Sequence, residues 1–345
     1  MDRKELYRVC STSLCFIVLT IPFLQAIHSK ESEFNCRSLG LSGECEEVEA
    51  CTCVCFKLTK WSTTVEAAYF GELGYELVLY SPYIYYLHIL GKLKRTLGPP
   101  GSSAFNYFSP NHTELPFGRR FCPGLYSNKN AHAAIADFRF DEWVPPQYKQ
   151  HFQGKLPALS ELPLLILHNK YTKEWDQPPA NFIDVPTLLQ LIDMLKGRYT
   201  IVYMRPYTSQ HLPGYVGDSN LDVEFNDHEE IKRQHPEVHL AHELLGQLTE
   251  VNDFNELQLA LHAQSDAFIS VLGGNAVIAS YFAGTNIVYA VKGQETTHND
   301  EFGVLYPRLS PEGLGKVVHA RNYGQLLALA EQHFLSESAQ TDVVA

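Results

Sequence analysis

Short apolar runs alternate with amphipathic segments through the second half of the chain. Four of these runs have the length and the β-branched or aromatic content of buried strands. They are residues 164–168, 199–204, 268–272 and 286–291. Three segments between or after them repeat apolar positions at helical spacing. They are residues 185–196, 254–263 and 323–334. Strands that alternate with helices of this length predict a parallel sheet covered on both faces.

The stretch at residues 266–284, DAFISVLGGNAVIASYFAG, contains the most informative pattern. A strand breaks at Gly273-Gly274, Asn275 is expected to cap a short helix of small residues, and another strand follows. Such a βαβ unit places a helix N-terminus beside the carboxyl end of a strand, which suits a diphosphate. The alternative is that the two glycines only form a tight turn in an α/β core.

Two cations follow predicted strands in the same way. Lys170 comes just after the strand at residues 164–168, and Arg205 just after the strand at residues 199–204. Ligands of parallel sheets bind outside the carboxyl ends of the strands, so both side chains are candidates for one site with Gly273, Gly274 and Asn275. An ammonium and a guanidinium would stabilise a diphosphate leaving group. The alternatives are a surface ion pair for Arg205 and a solvated loop for Lys170.

A second strand-to-helix turn lies in the first half of the chain. Residues 65–70 predict a strand, and Gly71-Glu72-Leu73-Gly74 leads from it into an amphipathic segment. Gly71 and Gly74 would let the backbone approach a ligand, with Glu72 at the carboxyl end of the strand. The alternative is ordinary turn glycines and a solvated glutamate. Asp137 and Asp141 belong to an aromatic and acidic cluster at residues 136–143 whose role the pattern leaves open.

Length and charge limit the possible partners. A chain of 345 residues predicts two domains, and the proline-containing residues 145–162 are the expected connection. We place the domains at residues 61–155 and 156–335, with a tail at 336–345. The net charge of −12 argues against a nucleic-acid polymer as partner, because phosphate-backbone binding needs a basic surface. Small anions, which need only a local site, are not excluded.

The N-terminus predicts export. Residues 1–8 would be a cytosolic tail, and the uncharged residues 9–27 are long enough to form a transmembrane anchor, although a cleaved signal peptide is the alternative. The rest of the chain would then be luminal, in the Golgi or endoplasmic reticulum, or secreted. Residues 28–60 carry five cysteines and predict a disulfide-bonded stem, and Asn111-His112-Thr113 is a glycosylation sequon.

Several catalytic motifs are absent from the sequence. It contains no GxGxxG, no P-loop, no GxSxG and no short Asp-x-Asp that would hold a metal-bound nucleotide. His235, His239 and His242 have the spacing of one helix face, but Pro236 interrupts that turn and their neighbours are polar. We therefore predict no metal site and no cofactor.

Together these residues resemble glycosyltransferases of the GT-B fold, in which two Rossmann-like domains face each other across a cleft. Gly71 to Leu77, GELGYEL, is similar to the GExGWEL-type turn of some poorly characterised members, with Tyr75 where tryptophan is commoner. Ser270 to Asn275 is similar to the phosphate loop of the second domain. The predicted anchor, stem and luminal domain also resemble Golgi type II transferases.

The resemblance implies a transferase that moves a sugar from a nucleotide-sugar donor to a hydroxyl of a glycan or glycoprotein, without a metal. A base would take the proton of the attacking hydroxyl, with Glu72 as first candidate and Asp137 and Asp141 after it. Glu295 would receive the ribose hydroxyls. Two alternative functions remain. One is an anchored glycan-binding protein without activity, and the other is a nucleotide-sugar epimerase on the same fold.

Overall fold

A computed structural model describes residues 54–58, 64–116, 119, 140–173, 178–205, 225–293 and 304–336. The chain divides into two compact units, Met1–Val144 and Pro145–Ala345. The division falls at the start of the predicted connection, whereas the sequence pattern placed the domain boundary at 155/156. The prolines at 145 and 146 begin the second unit, which continues at once into a short helix, α3 (Tyr148–Phe152).

The first unit contains a four-stranded sheet. Its strands, in their order across the sheet, are β1 (Val54–Leu58), β2 (Val65–Tyr69), β3 (Leu93–Gly98) and β4 (His112–Glu114). β1 pairs with β2 antiparallel, and the other two pairings are parallel. β1 lies within the segment assigned from the sequence to the stem, so this sheet begins before the predicted start of the domain at residue 61. The predicted strand at residues 65–70 is confirmed as β2.

The helix after β2 changes its winding part of the way along. It begins as α1 (Leu73–Tyr75), passes through a π-helical turn at Glu76–Tyr80 and continues as α2 (Ser81–Ile89). Pro82 has no N–H to donate to the carbonyl four residues earlier, which belongs to Val78. The indole Nε1 of Trp143 donates to that carbonyl instead, at 2.7 Å. Trp143, whose role the sequence left open, therefore replaces a missing backbone donor.

The second unit is built on a six-stranded parallel sheet, as the alternation of strands and helices predicted. The strands, in chain order, are β5 (Leu164–His168), β6 (Thr200–Met204), β7 (His239–Leu240), β8 (Ser265–Val271), β9 (Thr285–Tyr289) and β10 (Lys316–Ala320). Their spatial order is β10-β9-β8-β5-β6-β7. All described pairings in this sheet are parallel, so the strands end along one edge.

Helices cover both faces of this sheet. The helices are α4 (Val185–Leu195), α5 (Asp227–Gln234), α6 (Ala241–Leu245), α7 (Phe254–His262), α8 (Gly274–Ser280), α9 (Tyr306–Leu309) and α10 (Tyr323–Phe334). Neighbouring side chains of a strand point to opposite faces. Ile269 of β8 lies in the core with α4 and α10, while the next residue back, Phe268, stacks on His262 of α7. Burial on both faces explains why these strands are apolar throughout.

The predicted anchor at residues 9–27 lies outside the described residues, as do most cysteines of the predicted stem. Within the described ranges, no helix is long and apolar enough to cross a bilayer. The sequon residue Asn111 is described, and its side chain is exposed immediately before β4.

Candidate functional site

The carboxyl ends of three neighbouring strands carry the residues that the sequence singled out. Gly273 follows β8, Lys170 follows β5 and Arg205 follows β6, and these strands are adjacent in the order β8-β5-β6. The sheet therefore places all three residues along one edge, where ligands of parallel sheets bind.

The Lys170 ammonium lies directly against the glycine loop. Gly273 has φ 126° and ψ −162°, a conformation that is open to glycine almost alone. A Cβ built on Gly273 would come within 3.3 Å of the Lys170 Nζ. A side chain at this position would therefore be strained, and the Lys170 ammonium would have to shift by a few tenths of an ångström to admit it.

The helix after the loop starts two residues earlier than predicted. Asn275 was expected to be the N-cap, but Gly273 occupies that position and Asn275 is the second residue of α8. The carbonyl of Gly273 accepts from the backbone N–H of Ala276 at 3.0 Å and of Val277 at 3.3 Å. The extended conformation of Gly273 lets its own carbonyl begin the helix, so no capping side chain is needed.

A buried amide fixes α8 against the two strands that flank it. Asn286 of β9 donates to the carbonyl of Ala276 and to the Ser280 hydroxyl, at 3.0 Å each. The Ser270 hydroxyl of β8 donates to the other end of the same amide at 2.7 Å. The side chain of Asn286 thus connects β8, β9 and α8, and it holds the first turn of the helix beneath the glycine loop.

Arg205 is enclosed in a buried network. Its Nε lies 2.6 Å and its Nη2 2.5 Å from the two carboxylate oxygens of Asp227, and Tyr203 donates to the same carboxylate. The Nη2 also donates to the Nδ1 of His228 at 3.1 Å, and burial lowers the pKa of that histidine to about 4. Burial alone would lower the pKa of Arg205, but the hydrogen bonds and charge of Asp227 raise it above its ordinary value.

The charge of Arg205 is therefore already balanced inside the protein. The sequence pattern predicted that its guanidinium binds the ligand, with a surface ion pair as the alternative. The structure shows an ion pair that is buried, with Arg205 only 4% exposed. Asp227, its partner, follows the strand's end by more than twenty residues, and the pattern of apolar positions gave no signal for this pairing.

Lys292 is a cation at the same edge that the sequence pattern missed. It follows β9, which pairs with β8 on the side away from β5, so a lysine comes from each strand next to the glycine loop. The Asn181 side chain accepts from the N–H of Val291 at 2.9 Å and donates to the carbonyl of Lys292 at 2.9 Å. Lys292 is exposed and has no ion-pair partner in the part of the chain that the structure describes. Its position directly after an apolar run was the available signal.

The candidate residues of the first unit lie around the start of α1. Glu72 is its N-cap residue, and the Tyr69 hydroxyl donates to the Glu72 carbonyl at 3.1 Å. Arg119 donates to the carbonyl of Gly71 at 3.0 Å and forms an ion pair of 2.5 Å with Glu76. This ion pair, which the sequence did not reveal, is buried and holds the Arg119 side chain that donates to the Gly71 carbonyl next to Glu72.

The remaining candidates lie on separate elements or outside the described residues. Gly74 is half-buried inside α1, and Asp141 is exposed in a 3-10 turn at Phe140–Glu142. Asp137 and Glu295 lie outside the described residues. Gly274 and Asn275 are the first two residues of α8.

Among the described residues, no group of three or more histidine, cysteine, aspartate or glutamate side chains is placed to hold a metal ion. The three histidines with helical spacing lie on different elements. His235 ends α5, His239 is in β7 and His242 is in α6. Pro236 and the strand that follows it separate them, so they do not form one helix face.

No protein-family model matches this chain, and no curated protein matches it. Two solved structures are similar to it in part. One is ADP-heptose lipopolysaccharide heptosyltransferase II of E. coli, with a TM-score of 0.43 and 12% identity over 77% of this chain and 98% of that one. The other is the wall teichoic acid polymerase TagF, with a TM-score of 0.25 and 11% identity over 74% of this chain and 54% of that one. Likeness at this level does not assign the chain to a family.

Proposed function

We propose that this protein is a glycosyltransferase that binds a nucleotide-sugar donor at the carboxyl edge of the sheet in its second unit. The observation that carries the proposal is the contact between Lys170 and the loop at Gly273. A lysine held against a glycine that has no side chain leaves room for an anion to approach both the ammonium and the backbone.

The chemistry of the edge favours a diphosphate. Lys170 and Lys292 follow the two strands that flank β8, and the charge of Arg205 is balanced by Asp227. Two lysines beside a glycine loop suit a ligand with two or more negative charges. In glycosyl transfer that ligand is also the leaving group, and its charge grows as the glycosidic bond breaks.

The proposed reaction needs an acceptor hydroxyl, a base and cations that stabilise the leaving group. The oxygen of an acceptor hydroxyl attacks the anomeric carbon, and the bond from that carbon to the phosphate oxygen breaks. The electron pair of this bond leaves with the diphosphate, which Lys170 and Lys292 stabilise. A carboxylate takes the proton of the hydroxyl, and Glu72 is our first candidate because Arg119 and Tyr69 fix the backbone beside it. Asp141 and Asp137 are the next candidates.

The wider setting belongs to the same proposal. We infer a luminal enzyme of the secretory pathway, anchored through residues 9–27, that acts on a glycan or glycoprotein without a metal or other cofactor. Glu295 would bind the ribose hydroxyls. The support for the setting is the sequence of the N-terminal segment, and the support for the chemistry is the arrangement of lysines around the glycine loop.

The test is a thermal-shift panel with UDP, GDP, CMP and ADP on residues 31–345 produced in a secretory host, with and without EDTA. We expect one nucleotide to raise the melting temperature, and we expect EDTA to leave that shift unchanged. A shift that EDTA abolishes would contradict the metal-independent mechanism. A folded protein that responds to none of the four nucleotides would contradict the transferase itself and favour an anchored glycan-binding protein.

A further inference from the structure

Three aromatic side chains form a cluster beside the lysine of the proposed site. Tyr171 follows Lys170 directly, Phe225 comes just before α5, and Phe182 lies in the loop before α4. The rings of Tyr171 and Phe225 stack with their centroids 4.5 Å apart and their planes 12° from parallel. We call these two rings and Phe182 the aromatic cluster.

Phe182 borders the stack and does not cover it. Its centroid is 4.8 Å from that of Tyr171 and 5.8 Å from that of Phe225, and it is nearly perpendicular to both rings. A ring placed over the outer face of Tyr171 would be much farther from Phe225, on the opposite side of the stack. Phe182 therefore touches the sides of both rings.

A cation lies against Phe225, the second ring of the stack. The Cζ of Arg205 lies over the ring of Phe225, 5.9 Å from its centroid. Phe225 therefore contacts both the Tyr171 ring and the guanidinium of Arg205. Asp227 binds that guanidinium through both carboxylate oxygens, so the cation beside Phe225 is held in place.

Phe225 covers one face of the Tyr171 ring. Tyr171 is partly exposed, and no further ring or cation contacts it among the described residues. Its hydroxyl likewise has no hydrogen bond within the described ranges. An aromatic face held flat, with a polar group at its rim, is suited to a planar heterocycle that carries hydrogen-bonding groups.

We propose that the outer face of Tyr171 binds the nucleobase of the donor, next to the diphosphate held by Lys170 and Gly273. This inference rests on the proposed function, because it takes the anion at Lys170 to be part of a nucleotide. The adjacency of Lys170 and Tyr171 places the cation and the stacking surface within the span of one nucleotide. Stacking on one ring face accepts any base, so selection between bases would come from hydrogen bonds at its edge.

The test compares a nucleoside diphosphate with inorganic pyrophosphate by calorimetry. Tyr171→Ala should weaken binding of the nucleoside diphosphate at least about fivefold, the lower end for loss of one base–aromatic stack, and should leave pyrophosphate unchanged. Tyr171→Trp should retain the affinity of the wild-type protein. Tyr86→Ala, which removes a partly exposed tyrosine of the first unit, serves as the matched control.

The outcomes separate this inference from the proposed function. If the wild-type protein binds neither ligand, the proposed function fails. If it binds both and Tyr171→Ala weakens neither, or weakens both equally, the nucleobase assignment is wrong while the function stands. In a third titration, with the corresponding nucleotide-sugar, a loss of affinity for that ligand alone would mean that the sugar lies on Tyr171 and that the assignment is again wrong. Tyr171→Leu, which keeps apolar contact with Phe225, replaces the alanine variant if that does not fold.

Discussion

Asp227 is the buried ion-pair partner of Arg205, the residue that follows β6. It is fully buried, and it accepts hydrogen bonds from Arg205 and Tyr203. A buried ion pair adds little stability compared with apolar residues of the same volume, but removing one partner leaves an uncompensated charge in the core. The ion pair therefore serves to hold Arg205 beside Phe225 of the aromatic cluster rather than to add stability.

Asp227→Asn should lower the free energy of unfolding by about 3–5 kcal/mol, because the Arg205 guanidinium then stays buried without its counter-charge. Tyr203→Phe, which removes one donor and keeps the ion pair, should cost about 1 kcal/mol. Urea denaturation of both variants measures the difference. Equal losses for the two variants would show that the ion pair is not the dominant interaction.

A buried pair of histidines lies in the core of the second unit. The Nε2 atoms of His168 and His262 are 2.7 Å apart, and the Nδ1 of His262 lies 2.5 Å from the carbonyl of Gln258. A carbonyl only accepts, so the His262 Nδ1 carries a proton and its Nε2 accepts from the Nε2–H of His168. Burial favours the neutral form of both rings. Burial lowers the pKa of His262 to about 4 and that of His168 well below its ordinary value.

Stability should fall as the pH falls from about 6.5 to about 4, because histidines of the unfolded chain take up protons in this window and the buried pair does not. Above about pH 6.5 the rings are neutral in both states, and the contribution is constant. For each such histidine the slope approaches about 1.4 kcal/mol per pH unit. Urea unfolding measured in steps between pH 7 and pH 4.5 gives this slope, and His262→Gln should make it shallower. A flat profile over this range would contradict the neutral pair.

At the scale of elements, the loop between β8 and α8 is shaped by its glycine and by one amide. Gly273 supplies a conformation that other residues avoid, and Asn286 holds the first turn of α8 to the strands. Both features constrain the start of α8 without a ligand. Preorganised groups lose little entropy on binding, so they contribute more of their interaction energy to affinity.

Gly273→Ala should lower stability by about 1–3 kcal/mol, the usual cost of a side chain in this backbone conformation, and should also weaken nucleotide binding. Its new Cβ would approach the Lys170 Nζ. Gly197→Ala is the matched control, because nothing lies within 4 Å of a Cβ at that position. Thermal unfolding and nucleotide titration of both variants test the expectation. If Gly273→Ala behaves like Gly197→Ala, the loop does not require glycine.

The elements also show what local pattern can predict. Apolar runs located β5, β6, β8 and β9, because strands buried on both faces need apolar residues at every position. The π-helical turn before Pro82 was not predictable in the same way. Its Val78 carbonyl accepts from Trp143, a residue that is distant in sequence and reaches this carbonyl only in the folded unit.

At the scale of the whole molecule, the charge of the candidate site contrasts with that of the chain. The net charge is −12, yet lysines follow both strands that flank the glycine loop. The sequence predicted that Lys170, Arg205 and Gly273 lie at one edge, because parallel strands end together. It could not show that Asp227 balances Arg205, since ion pairs are set by tertiary contacts. A local cationic site on an acidic protein is compatible with a small anion as ligand.

The most direct test of this account is the affinity of Lys170→Gln for the nucleoside diphosphate that the panel identifies, measured by calorimetry. Loss of a charged hydrogen bond to phosphate predicts an affinity lower by about 10-fold to 150-fold. Lys316→Gln is the matched control, because Lys316 begins β10 at the opposite, amino-terminal edge of the sheet and should bind as the wild-type protein does. If Lys170→Gln retains full affinity while the protein still binds the nucleotide, the diphosphate does not lie at the Gly273 loop.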